Sequence, residues 1–118
     1  MHELRVVSRI VQTVAEEMER TGLSHVDGVK VRIGELSGVD PAALWFGWSA
    51  YVRGSSLEHV ALDIERVAVA GCCRDCHREF GVADLVFRCP HCGSAKIKLV
   101  RGQEIEIASL TIHEPDPE

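Results

Sequence analysis

A small α/β layer, two helices packed on a three-stranded sheet with an inserted zinc-ribbon-like four-cysteine module, is the fold class this sequence predicts. Three observations lead to it. Amphipathic segments follow the order helix, strand, helix, strand, strand; the strand patterns are short; and two Cys-x-x-Cys pairs stand between the last two strands.

The first helix is read from Leu4, Val7, Val11, Val14 and Met18, which recur at helical spacing with Ile10 beside them, while Arg9, Glu16, Glu17, Glu19 and Arg20 lie off that stripe. Gly22 closes it, because a residue without Cβ enters the left-handed region at no steric cost. Val29, Val31 and Ile33 then alternate with Lys30 and Arg32, so one face of a strand ending at Gly34 is apolar.

Asp40-Pro41 marks the second helix: the carboxylate accepts an orphan backbone N–H, and proline's missing donor costs nothing at the first helical position. Leu44, Trp48, Tyr51 and Val52 form its apolar stripe. A second strand is expected from about Val60 to Val69, where Val60, Leu62 and Ile64 share one parity and Val67 and Val69 the other, which predicts a bulge near Glu65. The third strand holds Ile105 and Ile107 on one parity and Leu110 and Ile112 on the other, so a bulge is expected at Ala108.

Residues 1–70 and 102–118 thus make one α/β unit, interrupted by a module at 71–101. Pro115 to Glu118 reads as a frayed acidic tail. With 118 residues, 46% hydrophobic and 26% charged, the chain suits one compact domain with a small appendage. Five cysteines is an odd count, and no export signal is seen at the start, so reduced thiols and a cytoplasmic location are expected. No apolar run approaches the roughly 18 residues of a membrane helix.

Cys73-Arg-Asp-Cys76 and Cys89-Pro-His-Cys92 are separated by twelve residues, the spacing of a closed tetrathiolate zinc site. Zinc imposes no ligand-field geometry, and two residues between paired cysteines let each pair present both sulfurs to one ion. A redox dithiol or a disulfide pair is the alternative. Four sulfurs leave zinc no open position for water, so the site is structural. Cys72 is an extra thiol outside that spacing.

The net charge of −5 is uneven: residues 71–101 hold six Lys or Arg against three acids, and the remainder holds seven against fifteen. Arg74, Arg78 and Arg88 offset the −2 of a zinc tetrathiolate or else bind phosphate; nucleic-acid binding is disfavoured.

The amine of Met1, the backbone nitrogen of His2 and the His2 imidazole Nδ1 can close fused five- and six-membered chelate rings in one plane. Nickel(II) or copper(II) suits such a tetragonal nitrogen set, and zinc or magnesium does not. The alternative is an ordinary exposed terminus. A fourth donor is open among the Glu3 backbone nitrogen, the Glu3 carboxylate, Asp40 and a module histidine; Asp40 also suits a helix cap and Glu3 a helix N-terminus. His25, His59, His77, His91 and His113 read as surface residues.

As an ordered set, Met1-His2-Glu3, the segment Arg32-Ile-Gly-Glu-Leu-Ser-Gly-Val-Asp40, the two cysteine pairs and Gly102-Gln103-Glu104 resemble the HypA/HybF family, the nickel metallochaperones of NiFe-hydrogenase maturation. The resemblance covers nearly the whole chain. It implies Ni(II) at Met1, His2 and Glu3, with His2 indispensable, and structural Zn(II) at Cys73, Cys76, Cys89 and Cys92. It also implies a HypB-type GTPase and the hydrogenase large-subunit precursor as partners, with urease maturation proteins in some organisms. Gly93 stands where some members place histidine, which puts a ligand-switching sensor role in doubt.

No Ser/His/Asp pattern or Gly-rich phosphate loop occurs, so no enzymatic activity is expected. The sequence thus points to a cytoplasmic nickel carrier, monomeric or weakly dimeric, with no membrane or nucleic-acid partner. A zinc-ribbon adaptor binding nucleic acid or protein is the alternative; a metal-dependent hydrolase would need an open zinc position.

Overall fold

The computed structural model describes residues 2–112, His2 by its backbone alone; Met1 and the 113–118 tail lie outside the described residues. Helix α1 spans His2–Thr21 and strand β1 Gly28–Gly34, followed by α2 at Pro41–Val52 and β2 at Ala61–Val67. Three short strands follow, β3 Ala70–Cys73, β4 Glu79–Gly81 and β5 Ile97–Arg101, before β6 at Ile105–Thr111. Two sheets result, β2-β1-β6 and β4-β3-β5. Strand β1 runs parallel to β2 and antiparallel to β6, as a strand–helix–strand crossover followed by a late return requires.

The core is the inner face of β1 under the helices. Val29, Val31 and Ile33 are each only 1% exposed and cluster with Val7, Ile10 and Val14 of α1 and Leu44, Trp48 and Val52 of α2. Buried Trp48 keeps its indole satisfied by donating to the Val60 carbonyl at 3.2 Å. The opposite face of the sheet is charged: Lys30 and Arg32 meet Glu65, and Arg32 also meets Glu106.

Several element ends follow from local chemistry. Gly22 sits at φ +73°, and the Leu23 N–H bonds back to the Met18 carbonyl at 3.0 Å, so α1 closes where the glycine permits. Asp40 caps α2 by accepting the Ala42 N–H at 3.1 Å. The bulge at Ala108 is present: Lys30 pairs with Ser109 and Val31 with Ile107, so Ala108 is skipped. That one extra residue lets both Ile107 and Leu110 face the core.

The expected bulge near Glu65 is absent. Strand β2 pairs with β1 without interruption from Ala61 to Val67, and the change of parity is the passage into the second sheet, which β3 enters at Ala70. Two stripe residues are also more exposed than expected. Leu4 packs on Gly47, which has no side chain to cover it, and stays 54% exposed. Tyr51 is 53% exposed, which keeps its hydroxyl in water. The second sheet was not legible in the cysteine spacing.

The two sheets meet at a backbone crossing. Leu36 N–H donates to the Gly102 carbonyl at 2.7 Å, Gly34 N–H to the Glu104 carbonyl at 2.8 Å, and Glu35 N–H to the Val67 carbonyl at 3.0 Å. A Cβ on Gly34 would lie 2.1 Å from the Gly102 carbonyl oxygen, and Gly102 itself adopts φ +118°. Gly34→Ala should therefore cost about 3 kcal/mol or more, against about 2–5 kcal/mol for the cavity left by Leu44→Ala. Urea unfolding of both variants checks this; a Gly34→Ala protein as stable as the parent would contradict the crossing.

Candidate metal centre

Of the five cysteines, four converge. The Sγ atoms of Cys73, Cys76, Cys89 and Cys92 all lie within 4.8 Å of one another. The Cys73–Cys92 and Cys76–Cys89 sulfurs are each 3.5 Å apart. A tetrahedral ion with bonds of about 2.3 Å needs sulfur–sulfur edges of about 3.8 Å, so the set fits such an ion with little rearrangement. Cys72 stays outside the cluster, its Sγ donating to the Cys73 carbonyl at 3.8 Å, because neighbouring residues of β3 point to opposite faces.

The two knuckles repeat one backbone plan. His77 N–H donates to the Cys73 carbonyl and Gly93 N–H to the Cys89 carbonyl, both at 2.9 Å. Cys73 N–H donates to Arg78 and Cys89 N–H to Ser94, again at 2.9 Å. Each leading sulfur also accepts an N–H at 3.4 Å, Cys73 from Cys76 and Cys89 from His91. The Ser94 hydroxyl donates to Asp75 and its oxygen accepts the Lys96 N–H, so one knuckle is tied to the other.

These bonds polarise the sulfurs in pairs. The Cys76 N–H holds the Cys73 thiol down at about 6. Cys89 is also lowered: burial raises it, but the N–H groups of Cys92 and His91 outweigh that. Cys92 is pushed up to about 12, since the lowering by the Ser94 N–H is overcome by the neighbouring Cys73 sulfur and by burial. Cys76 is raised too, the Arg78 N–H lowering it less than burial and the Cys89 and Cys73 sulfurs raise it. The leading cysteine of each knuckle is therefore the more acidic of its pair, and a dication that replaced the shared protons would complete the set.

The plan also explains a departure noted in the sequence. Each knuckle needs a left-handed residue directly after its second cysteine, and His77 has φ +64° where Gly93 has φ +78°. Glycine takes that conformation without strain, whereas histidine takes it at some cost. Gly93 is thus accounted for by backbone geometry. His77 and His91 are exposed, as are His25 and His59.

Helix α1 begins at His2, whose side chain, like all of Met1, lies outside the described residues. Glu3 is placed: its Oε2 accepts the Asp40 N–H at 3.2 Å, a bond that lowers its pKa below the usual carboxylate range. The first turn of α1 is thereby joined to the start of α2. This contact, between residues 37 apart in sequence, had no signal in the sequence beyond the choice of Glu3 and Asp40 as candidate donors.

Comparison with known proteins extends these findings. The family model described as "HypA: Hydrogenase/urease nickel incorporation, metallochaperone" matches residues 1–112. A hydrogenase maturation factor HypA from Roseiflexus sp. (strain RS-1) is 39% identical over 119 residues, covering 100% of this chain and 97% of that protein. One from Parabacteroides distasonis is 36% identical over 112 residues, covering 95% and 97%. Among solved structures, a solution structure of a HypA protein superposes with TM-score 0.73 at 27% identity, covering 96% of this chain and 97% of that one. The Ni metallochaperone HypA from Helicobacter pylori gives 0.68 at 26%, covering 93% and 96%.

Replacing His77 by glycine should stabilise the first knuckle by about 1 kcal/mol, and replacing Gly93 by histidine should weaken the second by a similar amount. Retention of the bound metal against a competing chelator reads both. Equal retention in the two variants would contradict the left-handed requirement.

Proposed function

The chain belongs to the HypA family of hydrogenase and urease nickel-incorporation metallochaperones, a maturation factor and not an enzyme, and we propose on that premise that it carries Ni(II) at Met1, His2 and Glu3. The cargo is destined for the NiFe-hydrogenase large-subunit precursor, with a HypB-type GTPase as working partner and urease maturation as a second destination. The observation that carries the reading is the family match from residue 1, which takes in the Met-His-Glu start.

The chemistry supports it. An amine, an amide nitrogen and an imidazole at the start of one chain form a planar nitrogen set suited to nickel. The Glu3 carboxylate, whose pKa is lowered by the Asp40 N–H it accepts, is a candidate for the remaining position. Donors at a chain terminus can be exchanged one at a time, as delivery requires.

In the same reading Cys73, Cys76, Cys89 and Cys92 hold structural Zn(II), and residues 71–101 form a zinc module on an α/β unit of residues 1–70 and 102–118. Zinc supplies folding energy there and no open coordination position. The protein works in the cytoplasm.

Untagged protein should bind one Ni(II), while His2→Ala and a version with a few residues added before Met1 should lose at least tenfold in affinity, as measured by competition with a chelator. Unchanged binding in both would defeat the terminal chelate. Lowering the pH through the usual imidazole range, around 6.5, should release the nickel because the proton competes for the same nitrogen. Cys89→Ser should lower zinc content and loosen the module while His2→Ala leaves it intact; circular dichroism and zinc analysis separate the two.

A further inference from the structure

The link from β4 to the second knuckle turns on an unusual residue. Val86 N–H donates to the Ala83 carbonyl at 3.0 Å, and the two residues between, Asp84 and Leu85, both lie in the left-handed region, at φ +54° and +58°. Two successive positive φ angles are the pattern of a type I′ turn, which glycine, asparagine and aspartate fill readily. Asp84 suits it. Leu85 does not, because in that conformation its Cβ crowds the following carbonyl oxygen. Packing does not offset the strain: Leu85 and Val86 are each 60% exposed and Phe87 40%. The loop is nevertheless fixed at both ends, Val82 N–H donating to the Val69 carbonyl and Cys89 N–H to the Ser94 carbonyl, each at 2.9 Å.

We infer that the Leu85-Val86-Phe87 tip docks the protein that receives the nickel, in an apolar hollow rimmed by carboxylates. A leucine kept where glycine is the easy choice, with its side chain left uncovered, is held there for contact with something else. The inference rests on the carrier reading above. Stepwise exchange of nickel donors requires the two proteins to be joined through groups that are not themselves donors, and three hydrocarbon side chains meet that condition.

Charge sets the chemistry of the partner. Arg88 follows the tip directly, and Arg74, Arg78, Lys96 and Lys98 are exposed elsewhere in the module; among the described residues none of the five makes an ion pair. The module's acids are fewer, and Glu79 and Asp75 are engaged by Arg101 and Ser94. Carboxylates around the hollow therefore complement the rim of the tip. An extended anionic lipid surface fits less well, since it would repel a body whose net charge is −5. Three side chains and one arginine bury far less than the roughly 1,200 Å² of a stable complex, so the contact is transient, as delivery requires.

Surface plasmon resonance of the untagged, zinc-loaded full chain over immobilised hydrogenase large-subunit precursor from the same organism tests this. Leu85→Gly should weaken binding at least fivefold and yet, because it relieves the turn, retain zinc against a chelator at least as well as the parent. Arg88→Glu should weaken binding several-fold with zinc retention unchanged. Binding by both variants equal to the parent's overturns the inference and leaves the carrier reading standing, whereas a parent that ignores the precursor overturns the inference together with the proposed destination. Poorer zinc retention by Leu85→Gly would contradict the strained turn on which the inference is built. Vesicles of equal phosphatidylglycerol and phosphatidylcholine should not retain the parent; retention that is lost in Leu85→Gly would assign the tip to lipid and overturn the protein partner.

Discussion

Everything in the α/β unit depends on hiding the inner face of β1. Val29, Val31 and Ile33 are closed off almost completely, and only helices on that face can do it, since the other face carries Lys30 and Arg32 and is committed to ion pairs. Covering three residues of a central strand takes two helices side by side, and Gly47 lets them approach closely enough for Leu4 and Val7 to touch α2. Functional geometry follows from that packing. Because α1 is fixed against α2 from its first turn, Glu3 reaches the backbone of Asp40.

The cysteine module follows a different logic. Apart from Val69 and Ala70 at its entrance, its deeply buried apolar residues are Cys73 and Cys89, the leading sulfurs themselves; Phe80 and Val82 are half-buried, and Leu85, Val86 and Phe87 are exposed. So small an interior cannot offset the entropy of ordering some thirty residues. The sulfur cluster is its core, and in the proposed reading a metal bound there supplies folding energy on the order of 10 kcal/mol. Its attachment is equally economical: the segments after Gly34 and around Gly102 exchange backbone hydrogen bonds at close range, which sets the module at one end of an elongated molecule measuring 58 × 36 × 23 Å.

The α/β unit was largely legible because its signals are local. Helical spacing, alternation, Asp40-Pro41 and Gly22 each act within a few residues of where they are read, and even the Ala108 bulge shows as a change of parity. The same change near Glu65 had another cause, a strand leaving its sheet, and parity alone does not distinguish the two. Cysteine spacing identified the four converging sulfurs, but the strands β3, β4 and β5 are too short to show periodicity. The Gly34–Gly102 crossing and the Glu3–Asp40 bond join residues far apart in sequence, so their motifs were recognisable only by resemblance. Gly93, a departure from some family members, meets the same left-handed backbone requirement that His77 meets in the first knuckle.

In the proposed reading nickel and zinc occupy separate sites of unlike chemistry, planar nitrogen and oxygen donors at one and tetrahedral sulfur at the other. X-ray absorption at the nickel edge, on untagged protein already loaded with zinc, tests that separation most directly. A spectrum of a planar ion with nitrogen or oxygen neighbours, including one imidazole, is the predicted result. Sulfur in the nickel shell would contradict it, because the cargo would then sit in the cysteine cluster.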